Sequence, residues 1–476
     1  MENESEINKY QIYCGGKFLE TKNPLNVINP FSGEVFAQTF LAGAEELEMA
    51  ILAAQKVQKE MKELPSRKKF KILREISDAI NSNRDRLAVL LCRESGKPMR
   101  YALGEIDRAA QTFLNAAEES KRLPKEYMSL DWTQAGDKKE GIVKYFPIGI
   151  VAGIAPFNFP LNLAVHKIAP AIAAGCPIIL KPASSTPLST LELAKIIDKT
   201  ELPKGAVSIL PMNRTAGNQL VTDERFSLLT FTGSPEVGWN MKKNAGKKKV
   251  ALELGGNAGV IVTSTANVNE AVKKCLVGGF SYSGQVCIHA QRIYIQKTIF
   301  DKFCGLFCEG VAKLKSGNPE DVGTEISAMI DEENAKRVEL WVNEAVSSGA
   351  KVLRGGVREK TFYPATVLTN TNTKMKVNCE EVFGPVVILE PFINFDEALE
   401  MINETKFGLQ AGIFTNEISE MDKAFNEINV GGVILNDVPT FRVDHMPYGG
   451  IKESGLGREG VKYAIQDMME AKILVK

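Results

Sequence analysis

Histidine is scarce in this chain. There are only three in 476 residues, His166, His289 and His445, too few to support zinc chemistry. Cysteine is present but unorganised: eight are scattered at positions 14, 92, 176, 275, 287, 304, 308 and 379, without a Cys-x-x-Cys pair. In a chain of this length that is no disulfide framework. An excess of either charge is also missing. Lys+Arg and Asp+Glu number 58 each, so no net field draws nucleic acid or an anionic membrane. No apolar run reaches membrane-spanning length, and there is no internal repeat or low-complexity tract. The first residues, Met1-Glu-Asn-Glu-Ser-Glu6, are acidic and polar, unlike a signal or transit peptide. Together these absences predict a cytoplasmic protein with neither a nucleic-acid nor a membrane partner.

What is present is enough apolar sequence for two or three domains. Residues 44–64 and 66–122 carry helical apolar spacing, punctuated by Pro65, Gly96 and Pro98. From Gly141 onward short β-rich runs alternate with helical segments. The runs are Ile150–Ile154, Pro177–Lys181, Val207–Leu210 and Leu228–Thr232. Continuous apolar strands separated by helices predict a parallel sheet covered on both faces, with ligands beyond the strands' carboxyl ends. A second alternation starts near Gly256, with strands expected at 260–262, 292–295, 386–389, 411–414 and 433–435. Its helices are expected at 266–281, 298–315 and 331–348. Two peripheral runs, Ile142–Phe146 and Lys472–Val475, are candidates to pair in a small subunit-bridging sheet.

Two residues carry the chemistry. Glu253 ends the apolar run Val250-Ala-Leu-Glu253 before a glycine pair, and Cys287 lies in Gly284-Gln-Val-Cys287. A thiolate attacks carbonyl carbon, and a carboxylate of raised pKa takes a proton from water. Asn158 follows the strand 150–154, where its amide can face a developing oxyanion, although turn or cap is the commoner role. Lys181 ends a strand and is either a ribose contact or a solvated strand-end lysine. Gly233-Ser-Pro-Glu-Val-Gly238 joins a strand to a helix, as a pyrophosphate site requires. The literal Gly-x-Gly-x-x-Gly, Gly455–Gly460, has only 16 residues after it, too few for a crossover and a further strand, so it is read as a tight turn. His289 beside Cys287 invites a Cys–His protease reading, which the cofactor-type strand pattern disfavours. Cys304 and Cys308 share a helix face and are read as packing residues.

Seven segments in order resemble the NAD(P)-dependent aldehyde dehydrogenase superfamily nearly end to end. They are Pro156-Phe-Asn-Phe-Pro160, Leu180-Lys-Pro-Ala-Ser184, Phe231-Thr-Gly-Ser-Pro-Glu-Val-Gly238, Leu252-Glu-Leu-Gly-Gly256, Gly284-Gln-Val-Cys287, Glu380-Glu-Val-Phe-Gly-Pro385 and Pro447-Tyr-Gly-Gly-Ile-Lys-Glu-Ser-Gly455. Within the family the chain looks most like the branch of archaeal-type lactaldehyde, non-phosphorylating glyceraldehyde-3-phosphate and phosphonoacetaldehyde dehydrogenases. The resemblance implies an α/β fold of two parallel-sheet Rossmann-like domains plus a small β oligomerisation element. The expected boundaries are 1–127 with 148–254 for dinucleotide binding, 255–453 for catalysis, and 128–147 with 454–476 for assembly into a homodimer or homotetramer.

The resemblance also implies roles. Cys287 is the nucleophile, Asn158 and the Cys287 N–H hold the oxyanion, and Glu253 activates the hydrolytic water. NADP or NAD is expected against Ala155, Pro156, Phe157, Lys181, Ser184, Gly233, Ser234, Leu254, Glu381 and Phe383. The aldehyde is expected against Phe159, Ile288, Arg442 and Tyr448, with no metal. The chain departs from relatives in three places. Leu210–Gly217 replaces a glycine-rich segment, Ser184 stands where NAD-dependent members often carry Glu, and Arg442 stands where many carry an apolar or aromatic residue. Ser184 predicts that NADP is used at least as well as NAD, and Arg442 predicts a short hydroxy- or anionic aldehyde such as lactaldehyde. Arg442 bonded to Asp444 as a loop brace is the alternative. Succinate semialdehyde and glyceraldehyde 3-phosphate are the other substrates in view. A CoA-acylating enzyme is disfavoured by Glu253, and a non-catalytic module of this fold by the intact Cys287, Glu253 and Asn158.

Overall fold

The computed structural model describes residues 7–476; the acidic N-terminal segment Met1–Glu6 lies outside them. Its two large sheets follow one plan. The first has eight strands in the order Gly455–Leu456, Lys249–Glu253, Phe226–Thr232, Ile150–Ile154, Ile178–Lys181, Val207–Ile209, Ile12–Cys14, Lys17–Leu19. The five from Lys249–Glu253 to Val207–Ile209 run parallel, and the edges pair antiparallel. From Ile150–Ile154 the chain winds outward one way through Ile178 and Val207. It then returns to Phe226–Thr232 on the other side, so strand order reverses between Ile150–Ile154 and Phe226–Thr232. Such a reversal opens a crevice at the carboxyl ends, where doubly wound sheets bind ligands.

The second sheet has seven strands: Lys351–Arg354, Thr366–Thr369, Val386–Phe392, Ala290–Gln296, Ala258–Val262, Gln410–Phe414 and Gly432–Leu435. All its pairings are parallel except the first. Each strand expected in this second sheet is present, lengthened by one to three residues where the ladder extends past the apolar run, while in the first sheet Pro177–Lys181 and Val207–Leu210 each come out one residue shorter. The expected helices appear as Val268–Phe280, Phe300–Ala312 and Glu332–Ser347, and the 66–122 stretch divides into Ser66–Ser82, Arg84–Ser95 and Met99–Glu119. Asn83 and Gly96 cap the breaks, Gly96 at φ +69°.

The helix Pro160–Ala174 was not legible. Every one of its residues is buried, packed between the sheet and the helices Met99–Glu119 and Val461–Asp467. A helix buried all round has no amphipathic period to read, and Pro170 inside it contradicts a helix signal.

The peripheral runs do pair: Met469–Val475 lies antiparallel to Glu140–Pro147, which carries Lys125–Ser129 on its other edge. The expected grouping of 454–476 shifts, however. Gly455–Leu456 joins the eight-stranded sheet beside Lys249–Glu253, and Val461–Asp467 packs on Pro160–Ala174, so only the residues from Met469 belong to the small sheet. Among the described residues no helix is long and apolar enough to cross a membrane.

Candidate active site

The carboxyl edge of the first sheet faces the amino edge of the second. Glu253 is the last residue of its strand, and five residues later the chain enters Ala258–Val262. Cys287 precedes Ala290–Gln296 and Glu381 precedes Val386–Phe392. Between these edges lies a cleft of about 870 Å³, and Asn158, Glu253 and Cys287 all line it.

The Cys287 segment is held in an unusual backbone. Tyr282, Ser283 and Gly284 are all left-handed, at φ +49°, +52° and +70°. For the two non-glycine residues this costs on the order of 1–3 kcal/mol each. Surrounding bonds impose it: Tyr282 donates to the Ser95 carbonyl at 2.9 Å, and Ser283 both donates to the Ser327 carbonyl (2.8 Å) and accepts from its N–H (3.1 Å). Position 284 takes only glycine, since a Cβ there would lie 2.1 Å from the Gly384 oxygen. Asn158 is buried and donates from Nδ2 to the Gln285 carbonyl at 3.0 Å, two residues before the thiol.

The Cys287 Sγ lies 3.1 Å from the Tyr448 hydroxyl. Burial pushes the thiol up to about 11; the Tyr448 hydrogen bond and the Arg442 charge oppose this, while Glu381 and Glu253 add to it. His289 takes no part in thiol chemistry. Its Nε2 bonds the Gly279 carbonyl at 2.8 Å, and burial depresses it to about 4. Cys304 and Cys308 lie half-buried against the second sheet's core, as packing residues.

Glu253 is buried, with no partner for Oε2. Desolvation and the neighbouring Glu459 charge raise it well above the usual carboxylate range. Glu459 behaves oppositely. Its burial is outweighed by the Lys167 and Arg442 charges, which hold it at about 2. Lys167 reaches Thr232 (2.8 Å), Thr230 (3.2 Å) and Glu459 (3.4 Å). Two nearby carboxylates are thus driven apart, one raised by burial and the other's charge and one held ionised, the pattern of acid–base sites. Sequence reasoning missed Lys167 and Glu459. A lone lysine inside the apolar stretch Leu161–Ala174 was the available signal, because a buried cation needs a partner.

The dinucleotide residues split in two. Pro156, Phe157, Gly233, Ser234, Leu254, Glu381 and Phe383 line the cleft. Phe157 and Phe383 meet edge-to-face at 5.8 Å. Ser234 caps Pro235–Asn244 without a side-chain cap bond, so hydroxyl and helix N-terminus are open to an anion. Glu381 accepts the Gly256 N–H at 3.0 Å and is raised by burial to about 7. A Cβ on Gly255 would lie 2.1 Å from that carboxylate. Asn334, Arg337 and Trp341 add a wall that sequence reasoning missed. These features fit an extended, anionic, aromatic-ended ligand, which a nicotinamide dinucleotide is.

Ala155, Lys181 and Ser184 stand away from the cleft's lining. Ala155 N–H bonds the Lys181 carbonyl at 3.0 Å, Lys181 Nζ has only the Pro182 carbonyl at 3.5 Å, and Ser184 bonds the Met212 carbonyl at 3.3 Å. The Leu210–Gly217 departure is a helix start: Asn213 accepts from Ala216 N–H at 2.9 Å, and Gly217 abuts the Lys181 stem.

Of the expected substrate residues, Phe159, Ile288 and Tyr448 gather with Cys287, Tyr282 and Leu409 in one aromatic-rich cluster. Arg442 is placed otherwise than expected. Its side chain is 6% exposed, bonds Glu459 at 2.9 Å, and lies 3.7 Å from the Tyr448 ring centroid. It is therefore neither an open cation on the cleft wall nor the partner of Asp444. Asp444 is taken by Arg108 (2.6 and 3.1 Å) and His166 (2.8 Å). A buried cation demands a carboxylate, and Glu459 is the nearer one.

The profile of the aldehyde dehydrogenase family matches residues 18–474, and the chain belongs to that family of oxidoreductases. It is 39% identical to 3-sulfolactaldehyde dehydrogenase of Priestia aryabhattai over 99% of this chain and 98% of that protein. Among solved structures it is similar to aldehyde dehydrogenase 21 of Physcomitrella patens in complex with the reaction product succinate. That match has a TM-score of 0.97 at 44% identity, covering 99% and 98% of the two chains. It is also similar to the glyceraldehyde-3-phosphate dehydrogenase GapN of Methanocaldococcus jannaschii complexed with NADP, with a TM-score of 0.91 at 38% identity, covering 95% and 98%.

Proposed function

We propose that this chain oxidises a short aldehyde carrying a hydroxyl or anionic group to its carboxylic acid, with NADP or NAD as acceptor. The observation that carries the reading is the meeting of a thiol, a side-chain amide and a buried carboxylate with a partnerless oxygen on one cleft. In this reading Cys287 Sγ adds to the aldehyde carbon. The oxygen that becomes negative is held by the Asn158 amide and the Cys287 backbone N–H. Phe157 and Phe383 would hold a nicotinamide, which would supply the hydride acceptor. The thioester left on Cys287 is opened by water. Glu253 takes the water's proton, the new C–O bond forms, and the C–S bond breaks to return the thiolate.

The substrate class is supported by the likeness to proteins named for sulfolactaldehyde and glyceraldehyde 3-phosphate and to one holding succinate. An initial-rate screen tests the reading. Lactaldehyde, 3-sulfolactaldehyde, succinate semialdehyde, glyceraldehyde 3-phosphate and propanal are each offered with NAD and NADP, with and without CoA. Propanal matching the best functionalised aldehyde would remove the substrate reading, and an absolute need for CoA would remove the hydrolytic one.

Assembly into a homodimer or homotetramer is part of the same proposal. Tyr127, Trp132, Ile473, Leu474 and Val475 are 48–90% exposed on and beside the small sheet, more apolar surface than one isolated edge explains. Light scattering on the purified chain gives its mass directly, and a monomer would refute this part.

A further inference from the structure

We propose that Tyr448 is a catalytic residue: its hydroxyl donates a hydrogen bond to the Cys287 thiolate, and Arg442, lying on the ring face, strengthens that donor. The proposal rests on the reading of Cys287 as nucleophile. Tyr448 Oη is 3.1 Å from Sγ, within hydrogen-bond range for sulfur. While the thiol keeps its proton either group can donate. Once the proton has gone to solvent only Tyr448 can, and a bond to a charged acceptor is the stronger kind. Phenylalanine at this position would give the same apolar wall with no donor.

Three residues make the arrangement rigid. The backbones of Tyr448 and Glu459 exchange both hydrogen bonds, at 3.0 and 2.6 Å. The Glu459 carboxylate holds the Arg442 guanidinium at 2.9 Å, and the guanidinium carbon sits 3.7 Å from the ring centroid. A cation on a phenol ring face draws electron density from the ring and polarises the O–H. Arg442 is in this respect a positioning residue that acts through Tyr448.

The charged and polar groups facing the thiol are Tyr448 and Arg442, which favour the thiolate, and Glu381 and Glu253, which oppose it along with burial. The hydroxyl is therefore the nearest of the groups that offset the site's resistance to a negative sulfur. Tyr448 remains protonated and able to donate, since burial and the adjacent Cys287 hold it well above the ordinary tyrosine range.

The test is the pH dependence of iodoacetamide alkylation in the free enzyme, followed by mass spectrometry of the Cys287 peptide. No aldehyde is present, so contacts of Arg442 with substrate do not enter. Y448F keeps the ring, and its profile should move to higher pH, with alkylation at neutral pH slower by roughly tenfold or more. R442L should move it the same way by less, R442K should restore most of the loss, and R442L should add little on top of Y448F. Circular dichroism of each variant establishes that it is folded. A Y448F profile superposing on wild type overturns the proposal. An R442L shift as large in the Y448F background as alone would show that Arg442 acts on sulfur directly and removes the through-ring part. Turnover persisting in C287A would instead remove the nucleophile on which the proposal stands.

Discussion

Replacing Glu253 by glutamine separates the two halves of the proposed reaction. The side chain is buried and Oε2 has no partner, so an amide fits the space and only the base is lost. General-base catalysis contributes about 10²–10⁴-fold, and that factor should fall on hydrolysis of the thioester while sulfur addition and hydride loss continue. In rapid mixing, E253Q should release one equivalent of reduced cofactor per active site and then turn over about a hundredfold or more slower than wild type. The pH behaviour follows from the same burial. Because Glu253 is raised well above its ordinary 4.5, wild-type kcat should climb with pH through that raised value, and E253Q should lose this limb. Stability should move the opposite way. The fold favours the protonated acid, so the contribution of Glu253 is present below its unfolded pKa and is lost as pH rises through the folded one. The Tm of E253Q relative to wild type should therefore rise with pH. Unchanged steady-state turnover, or a wild-type kcat flat across that range, would refute the assignment of Glu253 as base.

Other perturbations probe the remaining parts. C287A should abolish oxidation and keep dinucleotide binding, read by fluorescence quenching, because the cofactor wall is built from other residues; turnover at a tenth of wild type would exclude Cys287. NADP should serve at least as well as NAD, and S184E should favour NAD if the proposed dinucleotide brings its 2′-phosphate to that position; a wild-type preference for NAD above about a hundredfold would exclude this. R442L should lower kcat/KM for succinate semialdehyde, lactaldehyde and propanal alike, because the buried guanidinium acts through Tyr448 on Cys287; a loss of roughly tenfold or more confined to the functionalised aldehydes would instead mark Arg442 as a substrate contact. K97M should cost about 3–5 kcal/mol in urea unfolding. Lys97 and Glu105 are a fully buried pair, and Glu105 also accepts the Leu161 and Asn162 N–H groups at the start of the helix after Asn158; a loss near zero would show that the ion pair is dispensable.

The strands around the site were legible because each is a short apolar run between turn residues, and the cleft followed from where those runs end. Glu253, Asn158 and Cys287 stood at strand ends or in glycine settings, where sequence alone gives position. What stayed hidden depends on side chains meeting across long separations. Nothing local tells that Lys167 faces Glu459, 292 positions on, or that Asp444 is claimed by Arg108 and His166. The partner of Arg442 was misjudged for the same reason. Asp444 is near in sequence, but backbone pairing of Tyr448 with Glu459 brings the farther acid into reach. The first β-strands, within residues 8–40, are two to six residues long and have no clear alternation.

The left-handed turn at Tyr282–Gly284 has a consequence for how the chain matures. The side-chain bonds that impose it, and the one that ties the Asn158 amide to it, come from far away along the chain: Ser95 is 187 positions off, Asn158 is 127 from Gln285, and Ser327 is 44 from Ser283. No fragment lacking any of these segments can hold the strained backbone. Such long loop closures are completed late in folding. The thiol thus acquires its aromatic pocket and its phenol partner only when the whole architecture has closed.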